Sequence, residues 1–219
     1  MSRPLLLCVL LAAVTTGSSL QCMQCTDVAG KTCAGIAVNC APTSDVCTST
    51  LVQDEIDTSD PESMFLLDGS RNKTSYMFLR DCGNSSDCNK VVILRTPYNR
   101  MVKSTRCCRS NLCTPETPKP IPESAQNGVT CPGCLTVTQD RCEKYKPVSC
   151  RGNEQNCFSF SSKPSKGSDV SYALSGCASQ SACNMELEIG NQVQCTSGSE
   201  DLYLPLLLVA LTTWSHLLY

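Results

Sequence analysis

The chain has 219 residues, with 18 Lys and Arg against 20 Asp and Glu, one His and 19 Cys. A net charge of −2 argues against a nucleic-acid target, which calls for a basic stripe. Cysteine at roughly one residue in ten marks a disulfide-built protein and not one held by a large apolar core.

The N-terminal stretch "MSRPLLLCVLLAAVTTGSSLQC" has a positive charge at Arg3, an apolar run from Leu5 to Val14 and small residues at Gly17 and Ser19. That pattern predicts a secretory signal peptide over 1–19, cleaved after Ser19. Cys8 leaves with it, so 18 of the 19 cysteines remain, an even number suited to an oxidising compartment. Each bridge closing a loop of 15 to 30 residues contributes about 3 kcal/mol in the loop-entropy model. Nine of them outweigh any core this chain can build.

Cys22, Cys25, Cys33, Cys40 and Cys47 come next, then a long gap to Cys82 and Cys88, then Cys107, Cys108 and Cys113. Cys131, Cys134, Cys142, Cys150 and Cys157 repeat that rhythm to within one residue, followed by Cys177, Cys183 and Cys195. Self-similarity of this kind means two copies of one domain. The phrase "RDCGNSSDCN" at Arg80 returns as "SGCASQSACN" at Ser175. Between the copies, "TPETPKPIPESAQNGVT" over 114–130 has four prolines and predicts an extended linker, not a packed element. The domains are therefore expected over 20–113 and 131–197.

Short apolar runs at Ser49 ("STLVQ"), Ser75 ("SYMFL"), Val91 ("VVILR"), Leu135 ("LTVT"), Phe158 ("FSFS") and Val170 ("VSYAL") suit strands. No helical period is sustained, so the fold class is all-β. Spacing alone leaves the cysteine pairing open.

The end of the chain, "EDLYLPLLLVALTTWSHLLY", is apolar from Leu202 with no Lys or Arg after it. Small residues Ser197, Gly198 and Ser199 precede it. This predicts a glycosylphosphatidylinositol (GPI) attachment signal, with Ser197 as the attachment residue and 198–219 removed, over a tail-anchored helix.

The motifs "LQCMQC", "DCGNSSDCN" and "CCRSNLC" resemble the Ly-6/urokinase-receptor family of three-finger domains. The resemblance implies two tandem three-finger domains. It also implies the pairs Cys22–Cys47, Cys25–Cys33, Cys40–Cys82, Cys88–Cys107 and Cys108–Cys113 in the first. In the second it implies Cys131–Cys157, Cys134–Cys142, Cys150–Cys177 and Cys183–Cys195. The repeated phrase then marks the turn from finger two into finger three. Thr114 stands where the family usually has Asn, and the second copy lacks the final short bridge. A narrower resemblance, through "CPG" at Cys131 and "CRGNEQNC" at Cys150, is to two-domain gamma-type phospholipase inhibitors.

Catalysis and metal binding find little support. The single His is His216, inside the discarded tail, so a Ser or Cys nucleophile lacks its usual base. The Cys-x-x-Cys pairs "CMQC" and "CPGC" read as disulfide halves in a secreted chain, and no cofactor is expected. The acids Asp54, Glu55, Asp57, Asp60 and Glu62 read as a solvated tip of finger two. Finger three of the first domain is basic, with Lys90, Arg95, Arg100, Lys103, Arg106 and Arg109 and no acid between them. Two readings compete: the fingers neutralise each other, or Arg95, Arg100 and Lys103 face a charged partner. Asn72 and Asn84 begin glycosylation sequons.

The sequence thus predicts a GPI-anchored protein on the outer face of the plasma membrane, open to shedding, that binds an extracellular protein and has no enzymatic activity. An inhibitor of a secreted enzyme such as phospholipase A2 is the alternative.

Overall fold

The computed structural model describes residues 19–58, 61–63, 73–137, 139–162, 171–183, 185–188 and 191–198. Among them there is no α-helix. The first copy contains β1 (Gln21–Asp27), β2 (Ile36–Asn39), β3 (Val46–Ile56), β4 (Thr74–Gly83), β5 (Val91–Arg95) and β6 (Asn99–Cys108). The second contains β7 (Gln126–Thr136), β8 (Lys146–Arg151), β9 (Asn156–Ser162), β10 (Tyr172–Ala178), β11 (Glu186–Glu188), β12 (Asn191–Gln192) and β13 (Gln194–Ser197). The architecture is all-β and antiparallel, two three-finger domains in tandem.

Nine disulfides gather the finger bases: Cys22–Cys47, Cys25–Cys33, Cys40–Cys82, Cys88–Cys107 and Cys108–Cys113 in domain one, and Cys131–Cys157, Cys134–Cys142, Cys150–Cys177 and Cys183–Cys195 in domain two. The two cysteines of each Cys-x-x-Cys motif go to different partners. Cys22, Cys40 and Cys82 cluster in one base and Cys131, Cys150 and Cys177 in the other. Bonded sulfurs are not thiolates, so these clusters offer a metal no ligand. The base of domain one is also tied by hydrogen bonds: Leu112 N donates to Gln21 O at 2.7 Å, and Gln21 N donates to Asn111 Oδ1 at 3.2 Å. Asn111, not position 114, supplies the side-chain tie.

The two domains share one sheet. Its order runs β13-β9-β10-β5-β6-β3-β4-β1-β2, with β7 on β10 and β8 on β7. The junction is β5 against β10, where Cys177 faces Arg95 and Ala178 faces Leu94. Strand alternation puts Val92 and Leu94 on one face of β5. There they join Phe158, Phe160, Ala178, Ala182 and Val193 of domain two in one apolar cluster. This cluster spans the domain boundary, while Leu51, Phe78 and Val102 are buried within domain one.

The repeated phrase forms the same 3-10 turn twice, Ser85–Asp87 and Gln180–Ala182, in each case closed by the following cysteine N–H. Their surroundings differ. Asn84 in the first turn is exposed, whereas Ser179 in the second donates its N–H to Ile93 O at 3.0 Å and accepts from Ile93 N at 2.9 Å. The second turn thus extends the inter-domain seam.

The 114–130 segment is extended but packed, unlike the free linker that its prolines predict. Pro115 and Pro118 are buried. Ser49 Oγ donates to Pro115 O at 3.4 Å, and Gln53 and Ile121 exchange two bonds of 3.1 and 3.0 Å. Proline lacks an N–H but keeps its carbonyl, so an extended proline-containing strap can satisfy buried polar side chains on a sheet face. Residues from Gln126 onward already belong to β7.

Candidate binding cleft between the domains

Where the fingers of domain one meet β8, the chain encloses a cleft of about 680 Å³. One wall comes from β3, β4 and the β5–β6 turn, the other from β8, with Glu123 of the strap between them. Its floor is a buried charge cluster. Glu154, 1% exposed, accepts from Arg95 Nε at 2.8 Å, from Arg95 Nη2 at 3.0 Å and from Arg151 N at 3.0 Å. Arg95 Nη2 also reaches Glu123 Oε1 at 2.6 Å. Burial opposes the charge on Arg95, and the carboxylates of Glu154 and Glu123 overcome it, so its pKa is raised.

Arg100, 3% exposed, sits beside this pair. Its Nη1 donates to Glu55 Oε2 at 2.9 Å and to Ile121 O at 3.1 Å, and its Nη2 donates to Pro122 O at 3.3 Å. Arg100 Nε has no hydrogen-bond partner among the described residues, although Glu123 and Glu154 lie 3.8 and 4.0 Å away. Such a cluster holds its geometry because removing any one member strands a charge in a poorly solvated place.

These positions change the reading of the basic finger. Arg95 and Arg100 are not an open partner surface. Cross-strand register sets Glu55 opposite Arg100, and domain two brings Glu154 onto Arg95. The neutralising reading therefore holds at Glu55–Arg100. Lys103 lies elsewhere on β6, half-buried and opposite Val52 and Val92; it does not join the two arginines in one patch.

The acidic run is likewise no simple loop tip. Asp54 accepts from Asn99 Nδ2 at 2.8 Å. Burial raises its pKa, the Asn99 bond pulls it back, and neighbouring Glu55 raises it further. Glu62 accepts from Lys146 Nζ at 2.6 Å and from Tyr98 Oη at 2.7 Å, a second contact between the domains. Asp57 is exposed, and Asp60 lies outside the described residues. Asn72 also lies outside them.

Glu154 and Glu123 are the residues that reading the sequence misses. No local signal marks them, because each meets its arginine across a long stretch of chain.

Tandem three-finger domains, cross-linked at the base and meeting at a charged cleft, define a class of binding protein. The u-PAR/Ly-6 domain model matches residues 18–116 and 127–200, and the chain belongs to that family. It is similar to phospholipase A2 inhibitor NAI of Notechis ater, 30% identical over 84% of this chain and 86% of that one. It is also similar to a gamma-type phospholipase A2 inhibitor chain of Gloydius brevicaudus siniticus, 28% identical over 81% and 83%. The structure of mouse TEX101 aligns over 80% of this chain and 95% of that one, at 16% identity and a TM-score of 0.32.

Proposed function

We propose that this chain is a cell-surface binding protein, anchored through a GPI group on Ser197, that recognises an extracellular protein without catalysing a reaction. The observation that carries the reading is the continuous sheet across both domains, which holds the walls of the cleft on one frame. Pre-ordering lowers the cost of immobilising loops on binding. Ser197 is exposed at the end of β13. Apart from Ser19 and Gly198, the signal peptide and tail assigned from the sequence lie outside the described residues. Among the described residues no helix is long and apolar enough to cross a membrane. Asn84, exposed beside its turn, is open to a glycan.

Treating intact expressing cells with a phosphatidylinositol-specific phospholipase tests the anchor: release into the medium is expected, and retention on the cells refutes it. Proximity labelling on the same cells identifies the neighbours.

A second reading follows from the relatives, several of which are named as phospholipase A2 inhibitors. On it, the protein binds and silences a secreted phospholipase. Turnover by secreted phospholipases A2 with and without the purified protein separates the two, since a receptor leaves turnover unchanged.

A further inference from the structure

We propose that two molecules of this chain pair edge to edge through β2 of domain one, antiparallel and related by a two-fold axis at Ala37. This goes beyond the binding role above and does not depend on its ligand.

The backbone of the edge carries the first part. β2 is the last strand of the sheet, and β1 is its only neighbour among the described residues. The ladder runs from Gln24↔Ile36 to Gln21↔Asn39, and at the next step Cys40 N donates to Leu20 O at 2.7 Å. Bonded and non-bonded pairs alternate along an antiparallel ladder. Cys40, Val38 and Ile36 therefore turn their backbone groups toward β1, and Ala37 and Asn39 turn theirs outward. Both outward residues are exposed, neither is proline, and among the described residues no strand meets them on that side. An open edge is a template for one more strand.

The composition carries the second. Edge strands are usually guarded by charge, proline or a bulge. In domain two the corresponding interval, "CEKYKPVSC" from Cys142 to Cys150, has Glu143, Lys144, Lys146 and Pro147. In domain one the interval is "CAGIAVNC", from Cys33 to Cys40, and no Lys, Arg, Asp or Glu occurs from Thr32 through Ser44. The register of β2 on β1 has no shift, and Ile36 is 71% exposed.

A second molecule fits this edge. It brings no charge of its own to the contact, whereas a charged segment finds no counter-charge there. Antiparallel pairing about Ala37 sets the outward groups of the two Ala37 residues against each other, with Asn39 of each molecule facing Gly35 of the other. Residues directly opposite share a face. Ile36 of each molecule then meets Val38 of the other, so the same apolar pair forms twice. β2 has only four residues, and the contact is smaller than the roughly 1,200 Å² of a stable interface, so the dimer is weak.

Sedimentation velocity of the purified protein over a concentration series should show a monomer–dimer equilibrium. Ala37→Pro deletes an N–H that the monomer's own ladder leaves unused, a place where an edge strand accepts proline; it should abolish the dimer. Ile36→Lys removes both apolar pairs and should weaken dimerisation about tenfold or more. Tyr145→Lys, which changes an exposed apolar residue of domain two, should associate as the parent does. Circular dichroism and the thermal midpoint check that each variant is folded. If Ala37→Pro is not, Ile36→Lys, which alters only an exposed side chain, decides.

The proposal is overturned by a monomer at every concentration, by a dimer that either folded β2 variant leaves intact, or by one that Tyr145→Lys removes. Release of the anchor and inhibition of a phospholipase are read in separate assays, whose outcomes leave this pairing untouched.

Discussion

Gly176 and Arg95 meet across the domain boundary so closely that a Cβ on Gly176 would stand 1.9 Å from the Arg95 carbonyl oxygen. The glycine also has a φ of +154°, which side-chain-bearing residues rarely adopt. In the first copy of the repeated phrase the same place is taken by Asp81, where no second domain approaches.

Gly176→Ala should therefore force β10 off β5 and separate Ala178 and Ala182 from Val92 and Leu94. The expected loss of stability is about 2 kcal/mol or more. Hydrogen exchange should rise first in β5 and β10. An unchanged thermal midpoint with unchanged exchange there would refute the seam.

Glu154→Ala should cost about 3 kcal/mol or more, because it leaves Arg95 buried with only Glu123. Denaturant unfolding of Glu154→Ala, Arg95→Ala and the double variant measures the coupling. The double variant should lose clearly less than the sum of the singles; strict additivity would mean that the contact contributes nothing.

The disulfides should differ in weight according to the loop each closes. Replacing Cys40 and Cys82, 42 residues apart, should cost about 4 kcal/mol, and replacing Cys108 and Cys113, five apart, about 2 kcal/mol on the loop-entropy relation. Chemical unfolding of the two paired variants checks the order. A reversed order would show that packing around the bridges, not chain entropy, sets their value.

Asp54 predicts a pH effect of definite sign. Its pKa in the folded chain is raised above the ordinary 3.8. As pH climbs past that value, the unfolded chain releases its proton first and the folded chain still holds one. The native state then binds more protons, and stability falls until the folded pKa is passed. Asp54→Asn keeps an acceptor for Asn99 Nδ2 and removes the titration. Its thermal midpoint relative to the parent should rise with pH above 3.8 and then level off; a flat difference through the acid range contradicts the assignment.

Strands are legible where apolar β-formers bunch. "VVILR" is β5 to the residue, and "STLVQ", "SYMFL" and "FSFS" lie within β3, β4 and β9. "LTVT" reaches only as far as Thr136 in β7, and in "VSYAL" β10 begins at Tyr172. Elsewhere the pattern is too weak to read. β6 carries Arg100, Lys103 and Arg106 among few apolar residues, β8 carries Pro147 beside its start, and β1 has only Met23 as an apolar residue besides its cysteines. Such strands are held by neighbours and cross-links, so their own composition need not advertise them.

The cleft is harder to see for a related reason. Arg95 and Arg100 stand in a run of cations without an acid, which by local reading is an exposed basic face. Glu55, Glu123 and Glu154 reach them only through strand register and domain docking.

The order of residues is enough to specify the two-copy plan. The cysteine rhythm, the paired phrase and the strand-forming runs are local patterns, and together they show two all-β modules of one family. How the modules join is settled only when the chain folds: the β5–β10 seam, the packed strap and the burial of two arginines. Arg95 and Glu154 are 59 positions apart, and whether a charge is solvated depends on what folds against it, which no local pattern records.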